Sequence, residues 1–233
     1  MKIAVLVFPG SNCDHDAYHA LKHVSAADAR FVWHKEGTLD GFDGVVIPGG
    51  FTYGDYLRTG ALAKLSPVMG AVRRFADAGG PVIGICNGFQ ILLESGLLPG
   101  AMIVNESLKF ICDYVTLRTE TSATPFTRDI PAGTVLKVPV AHYQGNYFAD
   151  DETVRRIEGD GRVVFRYCDA AGNVTPESNP NGSISSIAGI CSEKGNVLGM
   201  MPHPERCTEP EMGSADGRRL FESMLSWIKE NAR

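Results

Sequence analysis

The sequence predicts an α/β protein, with a doubly wound, mostly parallel central sheet, flanking helices and extra short β segments in its second half. Three observations carry that expectation. Residues 2–8, 45–47 and 82–85 form short, almost wholly apolar runs, the pattern of strands buried on both faces rather than one. Segments with helical spacing of apolar residues follow the first and third of these runs, and such alternation indicates right-handed βαβ crossovers. A chain of 233 residues with 44% hydrophobic content can bury one sizeable core, so a single domain over 1–233 is expected.

The first strand, 2–8, ends at Pro9-Gly10, and a helix should follow with Ser11, Asn12 or Asp14 as its cap and Ala17, Ala20, Leu21 and Val24 facing the core. Short strands are expected at 31–34 and 45–47, the second ended by Pro48-Gly49-Gly50. A helix over about 61–78 closes at Gly79-Gly80, and strand 82–85 leads into a helix that runs to about 94 and stops at Gly96. Beyond Pro99-Gly100 the texture changes to β-like pieces at 114–118, 135–141, 163–167, 184–191 and 197–201, without helical periodicity. Residues 169–182, rich in Asn, Pro, Gly and Ser, read as a surface loop. Helix returns over 214–229, with Ser214 as cap and Leu220, Phe221, Met224, Leu225 and Ile228 on one side.

Composition narrows the function classes. The net charge of −5 and the scatter of the 22 Lys and Arg residues leave no basic patch for nucleic acid. No apolar stretch approaches the ~18 residues that span a bilayer, so no membrane partner and a cytoplasmic location are expected. The six cysteines include no Cys-x-x-Cys pair, and a chain with this much core does not need disulfides; Cys112, Cys168 and Cys191, in strand-like runs, are expected to be buried free thiols.

Gly84-Ile85-Cys86-Asn87-Gly88, set between a strand and a helix, has the form of a nucleophile elbow, in which any side chain two residues to either side would collide with the neighbouring strand or helix. Cys86 should occupy the corner, where the amino end of the following helix favours a thiolate. A thiolate nucleophile needs a proton shuttle and a group to orient it. His203 follows a strand-like run, where α/β sheets place their ligands, and Pro202 and Pro204 favour extended backbone that would put Glu205 on the same side as His203. The N–H groups of Gly50 and Asn87 are the candidate oxyanion hole. His15, His19 and His23 recur every four residues opposite the apolar stripe and read as solvent-facing, and no metal is expected.

The elbow at 84–90 together with Pro202-His203-Pro204-Glu205 resembles the class I, triad-type glutamine amidotransferases. Segments 48–58, 140–147, 181–183 and 195–206 further resemble the glutaminase subunits of a purine-biosynthesis ligase, and the likeness runs from Lys2 to the final helix. The resemblance implies the class I amidotransferase fold and a reaction in which Cys86 attacks the side-chain amide of glutamine, with His203, oriented by Glu205, handling the protons. It implies Gly49, Gln90, His142 and Gln144 as the substrate pocket or its wall. It also implies transfer of ammonia to a separate large synthetase subunit that uses ATP and magnesium, with a small bridging subunit, and no cofactor in this chain, which lacks a Gly-x-x-x-x-Gly-Lys-Ser/Thr loop. Many relatives read His-Gly-Glu-Gly-Asn where this chain has His142-Tyr143-Gln144-Gly145-Asn146. The alternatives are a subunit serving another synthetase and a catalytically silent binding subunit; intact Cys86, His203 and Glu205 speak against the second.

Overall fold

The structure, a computed structural model, describes residues 1–231. Its strands are β1 (Lys2–Val7), β2 (Asp28–Trp33), β3 (Gly44–Ile47), β4 (Val82–Ile85), β5 (Ala101–Ile103), β6 (Ile111–Thr119), β7 (Val135–His142), β8 (Asn146–Phe148), β9 (Val163–Cys168), β10 (Ile187–Cys191) and β11 (Val197–Met200). Nine of them form one sheet in the order β2-β1-β3-β4-β11-β10-β9-β6-β7, and β5 pairs with β8 separately. From β2 to β11 every neighbour is parallel, with Val197 of β11 opposite Val82 of β4. From β11 to β7 every neighbour is antiparallel.

The difference follows from the connections. In the first part the chain returns through helices α1 (Asp14–His19), between β1 and β2, and α2 (Pro67–Asp77), between β3 and β4, which allow parallel pairing, and α3 (Asn87–Glu94) follows β4. All four residues of β3 and all four of β4 are buried, as their continuous apolar runs require. In the later part β6 to β7, β9 to β10 and β10 to β11 are joined without an intervening α-helix, as antiparallel neighbours can be, and β7 shows the buried–exposed alternation of a half-covered strand.

Several local expectations are corrected. The first helix has no side-chain cap; Ser11 Oγ accepts from the Phe8 N–H at 3.0 Å instead, and after His19 the helix widens into a π turn over Ala20–Val24. The strand expected at 31–34 runs over Asp28–Trp33. The helix expected over 61–78 begins only at Pro67, because Ser66 stands in extended backbone before the proline, and the preceding turn is a short 3-10 helix, Ala63–Leu65. The second half does contain a helix, α4 (Asp151–Gly159), capped by the Asp150 carboxylate accepting from the Thr153 N–H at 2.7 Å. The last helix, α5, runs over Arg218–Asn231, and Ser214 caps the turn before it by accepting from the Asp216 N–H. Cys168 and Cys191 are buried, but Cys112 is exposed. No helix among the described residues is long and apolar enough to cross a membrane.

Candidate active site

The site lies at the carboxyl ends of the parallel strands, where β1, β3, β4 and β11 each end in a turn that brings a polar group forward. At the end of β4, Cys86 has φ 50° and ψ −105°, a conformation that a non-glycine residue holds only when the surroundings enforce it. The enforcement is visible on both sides. A Cβ on Gly88 would lie 1.9 Å from Ile47 O, and one on Gly84 would lie 2.7 Å from Gly88 O. α3 therefore packs too closely against β3 and β4 for any side chain at either glycine, and the Cys86 N–H is fixed by donating to Met200 O at 2.8 Å.

His203 and Glu205 are brought together differently from the sequence expectation. β11 ends at Met200, and Pro204–Arg206 forms a 3-10 turn rather than extended backbone; that turn folds Glu205 Oε1 to 2.5 Å from His203 Nδ1. Both are buried, at 2% and 1% exposure, so the contact is shielded from water. Burial opposes the imidazolium, but the neighbouring charge of Glu205, with the Cys86 and Cys13 sulfurs close by, outweighs it and holds His203 well above its ordinary range. His203 Nε2 is buried without a partner among the described residues, which leaves it available for a substrate atom.

Cys13, from the turn after β1, completes this cluster. Its Sγ, a ring nitrogen of His203 and a carboxylate oxygen of Glu205 lie within 4.8 Å of one another. Arg206 Nη2 donates to Cys13 Sγ at 3.1 Å, and Cys13 Sγ donates to Asn12 Oδ1 at 3.1 Å, so a guanidinium already faces the sulfur. Gly49 packs behind the group: a Cβ there would lie 2.8 Å from His203 Cε1 and 3.0 Å from Cys13 Sγ. Gly49 thus stands at a place of close approach directly behind the catalytic cluster, next to Gly50.

Gly50, at φ 149°, does line the cavity. The peptides beside it are engaged, Asn12 N–H with Gly49 O and Phe51 N–H with Gly10 O, while the Gly50 N–H has no backbone acceptor among the described residues. Asn87 is the first residue of α3, where N–H groups have no intrahelical partner, and its Oδ1 accepts from the Thr52 N–H at 3.1 Å, tying the elbow to the Gly50 loop. Gln90 is used internally: its Oε1 accepts from Asn87 Nδ2 at 2.8 Å, and its Nε2 donates to Gln144 O at 2.6 Å.

These groups border a cavity of about 330 Å³ that includes Cys86, His203, Gln90, His142 and Gln144. Its far wall comes from the antiparallel half. Asn105 Oδ1 accepts from the Gly145 N–H at 2.9 Å and meets His142 Nδ1 at 3.1 Å, while Asn181 Nδ2 donates to Gly145 O at 2.7 Å and to the Tyr167 hydroxyl at 3.2 Å. Both asparagines are fully buried. Burial, with the charge of His203, pushes His142 down to about 4, so it is a neutral, hydrogen-bonded part of the wall. Asn12, Cys13, Asp55, Thr59, Cys112 and Arg206 also reach the cavity and were missed from sequence. Cys13 was findable, because it follows β1 at the same strand-end edge as Gly50. Of the three spaced histidines, His15 and His23 are exposed, and His19 is partly buried with Nε2 2.7 Å from Glu209.

The chain matches the model of the CobB/CobQ-like glutamine amidotransferase domain over residues 1–228. It is 60% identical to phosphoribosylformylglycinamidine synthase subunit PurQ of Koribacter versatilis (strain Ellin345), across 97% of each chain. Identity to the subunit of the same name in Moorella thermoacetica (strain ATCC 39073 / JCM 9320) is 52%, covering 100% of this chain and 99% of that one. Among solved structures it matches a chain of PurLQS from Thermotoga maritima with a TM-score of 0.86 and 42% identity, covering 97% of this chain and 98% of the other.

Proposed function

The chain belongs to the CobB/CobQ-like glutamine amidotransferase family, and on that premise we propose that it is the ammonia-producing subunit of a phosphoribosylformylglycinamidine synthase, one amidotransferase domain acting in the cytoplasm. Glutamine enters the cavity with its side-chain amide toward Cys86. The thiolate attacks the amide carbon, and the developing oxyanion is received by the N–H groups of Gly50 and Asn87. His203 Nε2 gives its proton to the departing nitrogen, so ammonia leaves and a γ-glutamyl thioester remains. His203 then takes a proton from water, the resulting hydroxide attacks the thioester carbon, and glutamate leaves as Cys86 becomes a thiolate again. Glu205 keeps the imidazole oriented through both transfers.

The observation that carries this reading is the convergence, at one cavity, of a cysteine on a strained elbow and a histidine whose outer nitrogen is unpartnered and whose inner nitrogen meets a buried carboxylate. The ammonia passes to a larger synthetase subunit that uses ATP and magnesium to convert formylglycinamide ribonucleotide to the amidine, with a small bridging subunit between them. The PurLQS assembly supports that division of labour. Reconstitution with those two partners should give glutamine-dependent amidine formation. Cys86→Ser should abolish it while synthesis from added ammonium continues; glutamine-dependent synthesis surviving in that variant would overturn the mechanism.

A further inference from the structure

Glutamine is a zwitterion, and the cavity has to receive an ammonium as well as an amide. Cationic groups are present at Arg206 and His203, on the nucleophile's side. With Gln144 uncharged, Asp55 is the single acidic side chain on the wall among the described residues. Its Oδ1 is buried and has no hydrogen-bond partner among the described residues. A buried carboxylate oxygen without a donor is costly, and in a side chain that lines the cavity it marks a place for one.

The segment that holds it is built for position. Tyr53, Asp55 and Leu57 all have positive φ, at 54°, 55° and 70°. The loop is anchored from behind, where the Tyr53 hydroxyl meets His34 Nδ1 at 3.0 Å and Ser66 Oγ at 3.1 Å, and the Tyr53 N–H donates to Pro9 O at 2.7 Å. On the same side of the cavity, Thr59 Oγ1 donates to Gln144 Oε1 at 3.1 Å, linking this loop to the antiparallel wall.

We propose that Asp55 is a specificity-determining residue that accepts the α-ammonium group of glutamine, selecting the free amino acid over other primary amides. The inference rests on the glutaminase reading above and deepens it. Burial alone pushes the Asp55 carboxyl up to about 6, and a cation bound beside it would restore its ionised form.

The test uses the subunit in complex with its synthetase partners and two substrates, L-glutamine and glutaramate, the same amide without the amino group. The native enzyme should favour glutamine in kcat/KM, and Asp55→Asn should collapse that preference by roughly 10- to 100-fold, the range of a hydrogen bond to a charged group, chiefly through KM for glutamine. Asparagine tolerates positive φ, so the backbone at 55 is retained, and a melting curve checks folding. Equal losses on both substrates would make Asp55 structural and overturn the assignment, as would an unaltered ratio. If the native complex turned over no glutamine, the functional reading would fall instead. Asp55 would then be judged by calorimetry on the Cys86→Ser subunit, where equal affinity for glutamine and glutaramate would overturn it and tighter glutamine binding would uphold it.

Discussion

The two halves of the sheet make unlike contributions to one site. The parallel half supplies the groups that act on the amide from the ends of buried strands, each fixed by backbone geometry: Cys86 on its elbow after β4, Gly50 after β3 and His203 after β11. The antiparallel half supplies the wall, fixed by side-chain amides, with Asn105 and Asn181 holding the segment from His142 to Gly145. Chemistry is thereby tied to groups fixed by the backbone, and the facing wall of the cavity to a part held by replaceable side-chain hydrogen bonds. Damage to the first should appear in kcat or in folding, and damage to the second in KM and in moderate losses of stability.

The largest effect is expected from Glu205→Gln. Weakening the hold on the His203 ring should lower kcat for glutamine by about 10²- to 10⁴-fold with little change in KM; a change confined to KM would place Glu205 with the wall instead. Gly88→Ala strikes the elbow itself, since its methyl would lie 1.9 Å from Ile47 O. A loss of about 3 kcal/mol, or roughly 10 °C in Tm, is expected by thermal melting.

The wall should show itself in pH dependence. His142 sits near 4 in the folded chain against an ordinary 6.5, so between those values the unfolded chain binds more protons and stability rises with pH. Acidification from pH 6.5 toward 4 should therefore cost up to about 3 kcal/mol from this group. His142→Asn should flatten that part of the melting profile. An equally steep profile in the variant would assign the acid sensitivity to other groups. The smallest effect is expected from Asn105→Ala, which leaves the Gly145 N–H and the His142 ring without their acceptor. Stability should fall by about 1–3 kcal/mol, and KM should rise more than kcat falls.

The same contrast explains what was legible in the sequence. The elbow could be recognised because its glycines answer a local steric need, and the apolar runs of β1, β3 and β4 state their burial directly. His203 and Glu205 were found together, although the 3-10 turn that joins them was not. The wall depends on pairs such as Asn105 with His142 and Asn181 with Gly145, separated by more than thirty residues, and no periodicity records such partners. Helix α4 was missed because nine residues with only Val154 and Ile157 buried give a weak stripe, although Asp150 and Thr153 carried its capping signal. Asp55 lies in segment 48–58, which carried a family resemblance but no local pattern that gives this carboxylate a role. Their positive φ values depend on anchors at Pro9, His34 and Ser66, which only the folded chain brings together.

The central claim is that the sulfur at the β4 corner is the reactive one, even though Cys112 is exposed beside the same cavity and Cys13 stands against the same histidine. Treating the protein with a glutamine-like diazoketone and locating the adduct by peptide mass spectrometry tests this directly. One adduct per chain on Cys86, suppressed by excess glutamine, is the expected result; modification at Cys112 or Cys13 with Cys86 left free would contradict it.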